Sequence, residues 1–240
     1  MKNALVTGAS SGIGQAISSM LIENGYNVIG IGRRFDDNLI LYSKQNFTKI
    51  VLDLRDIDKL NLTVKNINKE SPIDLVVNAA GAAYYGLHEV LNSEQINEIV
   101  NVNLTAPMII TNLLIKTIKE RSGMIINISS VTANNVNPHG AAYGATKAGL
   151  SSFSKSLYEE YRKWGVKLVD IKPDMTKTNL YRNADFTVDD DKMAYLEPDD
   201  IALAIKDLLS LRDGLCVNEI SLTPRYKRIK KTKNQSNGGL

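Results

Sequence analysis

With 240 residues, 43% hydrophobic and 23% charged, the chain is long enough to bury a full core and has neither a disordered nor a fibrous composition. Its single cysteine, Cys216, excludes an internal disulfide and suits a reducing compartment, and no apolar run approaches the roughly 18–20 residues needed to span a bilayer. The net charge of +3 is unevenly placed: six of the 29 basic residues follow residue 224 with no acid among them, so the rest of the chain is net acidic.

The first strand-like run, "NALVT" (3–7), begins almost at the first residue and leaves no room for a signal peptide, which points to the cytoplasm. Further runs follow at 27–31, 48–54, 73–78, 123–129, 166–171 and 218–222. Most lack the alternation of a half-exposed strand, as expected for strands covered on both faces of a parallel sheet. Amphipathic stretches at 12–24, 56–70, 93–119, 142–164 and 198–211 read as helices between them. This alternation predicts an α/β Rossmann-type doubly wound sheet of about seven parallel strands with helices on both faces. Residues 1–224 form one domain. Residues 225–240, "RYKRIKKTKNQSNGGL", read as a basic, disordered, solvated tail rather than a nucleic-acid-binding arm.

In such a sheet ligands bind beyond the carboxyl ends of the strands, so the segments after each strand carry the information. The first strand runs into "VTGASSGIGQAI" (6–17), where Gly8, Gly12 and Gly14 punctuate a strand-to-helix turn with Ser10 and Ser11 among them. Glycines there allow a tight turn and a close approach of backbone to a pyrophosphate, and the helix start offers free N–H groups. The spacing lacks the GK[ST] of a nucleotidase loop. The second strand ends in "GIGRRFDD": Gly32 stands where a carboxylate would hold a ribose 2′-hydroxyl, and Arg33 and Arg34 follow. Two guanidinium groups suit a 2′-phosphate, so the sequence favours NADP(H) over NAD(H).

Together "TGASSGIG" (7–14), "NAAG" (78–81), "NVNL" (101–104), "INISS" (126–130) and "YGATK" (143–147) resemble the short-chain dehydrogenase/reductase family in its compact form, over residues 1 to about 223. The resemblance implies that Gly8, Gly12, Ile13 and Gly14 form the cofactor-phosphate loop, and that Asp53, ending the third strand beside Leu54, meets the adenine. It places Asn78, Ala79, Ala80 and Gly81 along the adenine ribose. Asn103 would hold a helix distortion and a water of the proton relay, and Ser130, Tyr143 and Lys147 would form the catalytic triad. It also implies an oxidoreductase acting on a small or medium carbonyl or alcohol, and a homodimer or homotetramer built on helices 93–119 and 142–164. Met108, Leu113, Leu150, Phe153 and Leu157 permit that assembly and equally suit an intrachain core.

The chemistry of the Tyr–Lys pair is consistent with that role. A free tyrosine titrates near 10, too high for exchange at neutral pH. A lysine four residues later shares its helix face and stabilises the phenolate. After the sixth strand, "IKPDMTKTNL" keeps Pro173 and Thr178 but carries Asp174 where family members have glycine. Asp174 is expected to weaken cofactor affinity, Met175 to line the nicotinamide site, and Thr178 to bond the carboxamide or pyrophosphate. Tyr181, Phe186, Met193 and Tyr195 form either a lid or a small satellite core, and His139 is a loop residue just before the catalytic helix. No cluster has metal-ligand spacing. Two rival readings remain: a cofactor-sensing regulatory protein with little turnover, supported by Asp174 alone, and a nucleic-acid role for the basic tail.

Overall fold

The computed structural model describes residues 1–36 and 38–232. All seven expected strands form: β1 (Lys2–Thr7), β2 (Tyr26–Gly32), β3 (Phe47–Val51), β4 (Leu75–Asn78), β5 (Met124–Ile128), β6 (Lys167–Pro173) and, after a short β7 (Phe186–Val188), β8 (Glu219–Leu222); β9 (Ile229–Lys231) ends the described chain. The main sheet runs β3-β2-β1-β4-β5-β6-β8, with every pairing parallel. Strand order reverses between β1 and β4, which opens a crevice at their carboxyl ends. Every residue of β4 and β5 is buried; helices cover both faces of these strands, so neither face is left for polar residues to meet water.

Among the described residues six α-helices flank the sheet: α1 (Gly12–Glu23), α2 (Ile57–Glu70), α3 (Ser93–Val100), α4 (Ala106–Glu120), α5 (Ala141–Tyr161) and α6 (Pro198–Leu209). Alternate strand residues point to opposite faces. Ala4, Val6, Ile126 and Val169 pack against Ile17 and Leu21 of α1 and Ile201 and Ile205 of α6. Leu5, Val76, Ile125 and Leu168 pack on the other side with Val64 of α2, Ile110 and Leu114 of α4, and Leu157 of α5. Leu150 and Leu157 are thus intrachain core, whereas Met108 is exposed and Leu113 and Phe153 are half-buried.

The helix expected over 93–119 carries a π-turn at Asn101–Thr105, around the Asn103 to which the resemblance assigned a helix distortion; the fold departs from the sequence reading at the end of β3 and in the basic segment. By length and composition alone the stretch Ser93–Glu120 would suffice to cross a membrane, but Ile110, Leu114 and Ile118 are completely buried in this core and Ile99 is completely buried as well. The third strand ends at Val51, so Asp53 lies in the following loop. The basic segment from Arg225 is not an unstructured tail over residues 225–232: β9 pairs antiparallel with β7. Arg228 and Lys230 there ion-pair with Asp191 and Asp190, opposite charges that sit about 40 residues apart in the chain. The remainder of that segment, 233–240, lies outside the described residues.

Candidate active site

A cleft of about 930 Å³ runs along the carboxyl ends of the strands and brings together the glycine turn, the Arg33–Arg34 pair, Asp53 and Leu54, and, at its far end, Ser130, Tyr143 and Lys147. The glycine turn needs its glycines for reasons of space. Gly8 has φ +70°, and a Cβ on it would lie 2.8 Å from Ala80 Cα; a Cβ on Gly14 would lie 2.3 Å from the Gly8 carbonyl oxygen. The turn therefore rests directly on the Ala79–Ala80 segment, whose two backbone N–H groups donate to Thr7 Oγ1 at 3.1 and 3.2 Å. Ser11, at the N-cap of α1, makes no side-chain cap bond, and the first turn holds no acid. The opening N–H groups of α1 and the positive end of its dipole thus remain for an anion in the cleft. Ser10, Ser11, Gly12 and Ile13 line the cleft; Gly14 lies beneath it.

At the opposite wall of that end, Gly32 has no room for a side chain, since a Cβ would meet Ser10 Oγ at 2.8 Å and Phe35 at 3.1 Å. Arg33 is exposed and bonds Glu98 of α3 at 3.0 Å. Glu98, nearly buried, also accepts from the Tyr84 hydroxyl at 2.9 Å and faces Arg55 at 3.8 Å. Arg34 lines the cleft with no ion-pair partner among the described residues. Asp53 is gripped by Arg55, whose hydrogen bonds hold its carboxyl below the usual range.

The other end is built by α5 and the π-turn. Asn103 is completely buried: its Nδ2 donates to the Ala82 carbonyl and its Oδ1 accepts from the Ala82 N–H, both at 2.8 Å. These two bonds, together with one to Thr146 Oγ1 of α5 at 3.2 Å, tie the distorted helix to the loop after β4. Asn78, buried below the cleft, donates to Asn127 at 2.8 Å. Lys147 Nζ donates to the Ile128 carbonyl at 2.8 Å and lies 5.6 Å from the Tyr143 ring centroid. Burial pulls the Lys147 ammonium down to about 8, opposed by the charge of Asp170. Burial pushes the Tyr143 phenol up, only partly countered by its hydrogen bond with Ser130. Burial thus acts on Tyr143 against the lowering by Lys147 that the sequence reading expected.

The sequence model of the short chain dehydrogenases matches residues 2–188. This chain belongs to the short-chain dehydrogenase/reductase family. It is 33% identical over 222 residues to a 3-oxoacyl-[acyl-carrier-protein] reductase of Vibrio harveyi, a match covering 87% of this chain and 90% of that one. An alcohol dehydrogenase of Thermococcus sibiricus, solved with 5-hydroxy-NADP, superposes with a TM-score of 0.85 at 27% identity, covering 95% of this chain and 98% of that one. A 4-hydroxyisoleucine dehydrogenase solved with NADH superposes at 0.81 with 25% identity, over 93% and 98% of the two chains.

Within this short-chain dehydrogenase/reductase, Pro173, Asp174, Thr176 and Thr178 line the cleft, whereas Met175, expected there, does not. The alternating direction of side chains along the extended segment turns Met175 away while Asp174 and Thr176 face in. Asp174 replaces glycine without strain: its φ is not positive, its N–H donates to the Leu222 carbonyl, and its carboxylate accepts from the Met175 N–H at 2.8 Å. His139 is exposed, with φ +62°. Of the residues expected in a lid or a small satellite core, Tyr181 and Phe186 gather with Tyr85 around the Tyr143 ring: Tyr85 stands 6.0 Å from Tyr143, 6.0 Å from Tyr181 and 5.0 Å from Phe186. Met193 is half exposed and Tyr195 is buried. Sequence reading missed Tyr85, Glu98 and Arg55. Tyr85 had a local cue, following "NAAGAAY" by position; Glu98 is a lone acid on the inward face of α3, visible only once that face is known.

Proposed function

We propose that the chain is an NADP(H)-preferring reductase of carbonyl groups on small or medium, uncharged substrates, with Tyr143 as general acid and base. The observation that carries this reading is the single cleft shared by the glycine turn and the Ser130–Tyr143–Lys147 group. The glycine cradle, where any Cβ would fill the space, and the uncapped start of α1 fit a pyrophosphate. Preference for a 2′-phosphate is supported by Arg33 and Arg34 and by the lack of room at Gly32 for a competing carboxylate. When bound, a reduced nicotinamide cofactor supplies the hydride.

Tyr143 delivers the proton to the oxygen on which negative charge develops, and burial keeps it protonated until then. Ser130, hydrogen-bonded to Tyr143, donates to the same oxygen and orients the carbonyl. Lys147 provides positive charge beside the forming phenolate and can hold ribose hydroxyls. Asn103 fixes the π-turn, and with it the register of the loop and α5 around Tyr143. The aromatic group Tyr85, Tyr181 and Phe186 excludes water and favours an apolar flank on the substrate. The protein is further proposed to be cytoplasmic and to form a homodimer or homotetramer through Met108, Leu113 and Phe153.

The regulatory-sensor reading rests on Asp174 alone, which lines the cleft yet fits its turn without strain, so it gains nothing from the backbone there. The nucleic-acid reading is weakened because Arg228 and Lys230 are engaged by acids of the same chain. The test is oxidation of NADPH and NADH side by side with aldehydes, diketones, quinones and 3-oxoacyl thioesters. Turnover with NADPH that collapses in Tyr143→Phe, and a preference that falls in Arg33→Ala/Arg34→Ala, is the expected result. Tight NADPH binding with no turnover across the panel would overturn it.

A further inference from the structure

Lys172 is completely buried, and the reaction as described does not use it. It lies on β6, one residue before Pro173, which lines the cleft. A buried ammonium persists where opposite charge and acceptors surround it. Lys172 Nζ stands 2.7 Å from a carboxylate oxygen of Glu219 on β8 and 3.6 Å from Asp170, two residues back on β6. Glu219 is held from its other side by Lys155 of α5 at 3.4 Å. A further contact leaves the sheet: Lys172 Nζ donates to Oδ1 of Asn134 at 3.3 Å, across 38 residues of chain.

Asn134 closes the turn that begins at Ser130. Ser130 caps a single 3-10 turn, Val131–Ala133, and Asn134 follows it. The Thr132 N–H donates to Ser130 Oγ at 3.2 Å, the Ala133 N–H to the Ser130 carbonyl at 3.0 Å, and the Asn134 N–H to the Val131 carbonyl at 3.2 Å. The first of these bonds occupies an acceptor position of the Ser130 hydroxyl and leaves its proton for an oxygen in the cleft. The turn thus sets the direction in which Ser130 donates. Its near end is also fixed to β6, because the Ser129 N–H donates to the Ile171 carbonyl at 2.8 Å. Ile171 and Lys172, consecutive on β6, therefore hold the two ends of the segment Ser129–Asn134. Beyond it the loop faces water, with Asn135 and Val136 exposed, so the turn is braced from the sheet side.

We propose that Lys172 is a positioning residue of the active site: its buried ammonium, neutralised by Glu219 and Asp170, grips Asn134 and so fixes the turn that aims the Ser130 hydroxyl. The inference rests on the reading of Ser130 as a donor to the reacting oxygen. An ammonium suits the task, since a charged donor makes a stronger hydrogen bond than a neutral one. An ion pair that served only to join β6 to β8 would need no bond to Asn134.

Two readouts separate these roles, and the exposed Asn134 allows the contact to be cut without opening the core. The first is amide hydrogen exchange of Thr132 and Ala133 in the cofactor-free protein, which needs no turnover. The second is kcat for NADPH-dependent carbonyl reduction, with NADPH affinity and Tm measured alongside. Asn134→Ala should speed exchange and lower kcat, each by about tenfold, with NADPH affinity and Tm near those of wild type. Asn134→Asp, which keeps an acceptor for the ammonium, should recover most of both. Lys172→Met/Asp170→Asn removes the lysine together with its buried counter-charge; it should lower Tm and show the same fall in kcat. Adding Asn134→Ala to that variant, or to Ser130→Ala, should change kcat no further. If the Lys172 variant does not fold, the Asn134 and Ser130 variants decide alone. Unmoved exchange in Asn134→Ala overturns the proposal, as do losses of kcat that add in full. Faster exchange with unmoved kcat in a working reductase overturns it as well, because Lys172 then serves the fold alone. Faster exchange in a wild-type chain without turnover supports the grip on the turn and counts against the role assigned to Ser130.

Discussion

Replacing Gly8 by alanine tests whether the cofactor turn is held by close backbone contact. Gly8 has φ +70°, and the added methyl would lie 2.8 Å from Ala80 Cα and 2.9 Å from Ala80 N. A left-handed backbone costs a non-glycine residue about 1–2 kcal/mol, offset by about 0.4–1 kcal/mol from a stiffer unfolded chain. Steric displacement of backbone adds about 1–3 kcal/mol, because Ala80 cannot swing away as a flexible side chain could. The expected loss is about 2–4 kcal/mol, or about 6–12 °C in Tm for a chain of this size. Gly25 supplies the control: its φ is +80°, but nothing lies within 4 Å of an added Cβ. Gly25→Ala should cost only about 1 kcal/mol, or about 2–4 °C. Thermal melts of both variants, with NADPH binding by cofactor fluorescence, measure the difference. Equal Tm losses would refute the argument, since the contact between turn and Ala80 would then relax at no cost. A large Tm loss with unchanged NADPH affinity would separate the fold role of Gly8 from its role in the cleft.

Three further outcomes follow from the ion pairs. Glu98→Gln releases Arg33, whose half-exposed pair with Glu98 is worth about 0.2–1 kcal/mol; NADPH affinity should rise by up to about fivefold relative to NADH in parallel fluorescence titrations. Glu219 has its pKa lowered from 4.5, first by its hydrogen bond with Lys172. Its stabilisation is therefore full above 4.5 and lost as pH falls through the depressed value. Denaturant melts should show Glu219→Gln weaker than wild type by about 1–2 kcal/mol at pH 7, with the gap closing in acid below the carboxylate range. Arg228→Glu should raise the substrate KM, by loosening β9 from the acidic turn after β7, and leave NADPH affinity in place; Asp191→Arg in the same chain should restore KM, and a KM insensitive to both would separate β9 from the substrate side.

The fold was legible where composition and geometry are local. Strands such as "DLVVN" and "MIINI" are mostly apolar without in/out alternation because helices cover both faces, and that pattern is visible without knowing the neighbours. The break at Asn101–Thr105 came from the family resemblance at Asn103 and not from the local pattern. "NVNLT" contains neither proline nor glycine, and the distortion is held by Asn103 bonding a backbone unit 21 residues away. The β7–β9 pair was hidden for a related reason. A basic segment looks solvated until its partner, the run Asp189–Asp191, is brought beside it by the turn after β7.

The site divides along the same line. Glycines and the Tyr143–Lys147 spacing were readable because their constraint is a turn or a helix face. Glu98 and Tyr85 meet the cleft only through residues from other elements, so their charge and ring had no address in the sequence. This has a consequence for Tyr143 itself. An i,i+4 lysine suggests a lowered phenol, yet in the fold Lys147 donates to Ile128 and burial dominates, so the phenol is raised from 10.0. On the proposed mechanism such a group is well disposed to give a proton to a developing alkoxide and poorly disposed to take one from an alcohol at neutral pH. Alcohol oxidation then needs Lys147 charged and close, whereas reduction starts from the resting state. The pH dependence of the two directions should therefore differ, with oxidation gaining as Tyr143 is eased toward ionisation and reduction holding until Lys147 loses its charge near 8.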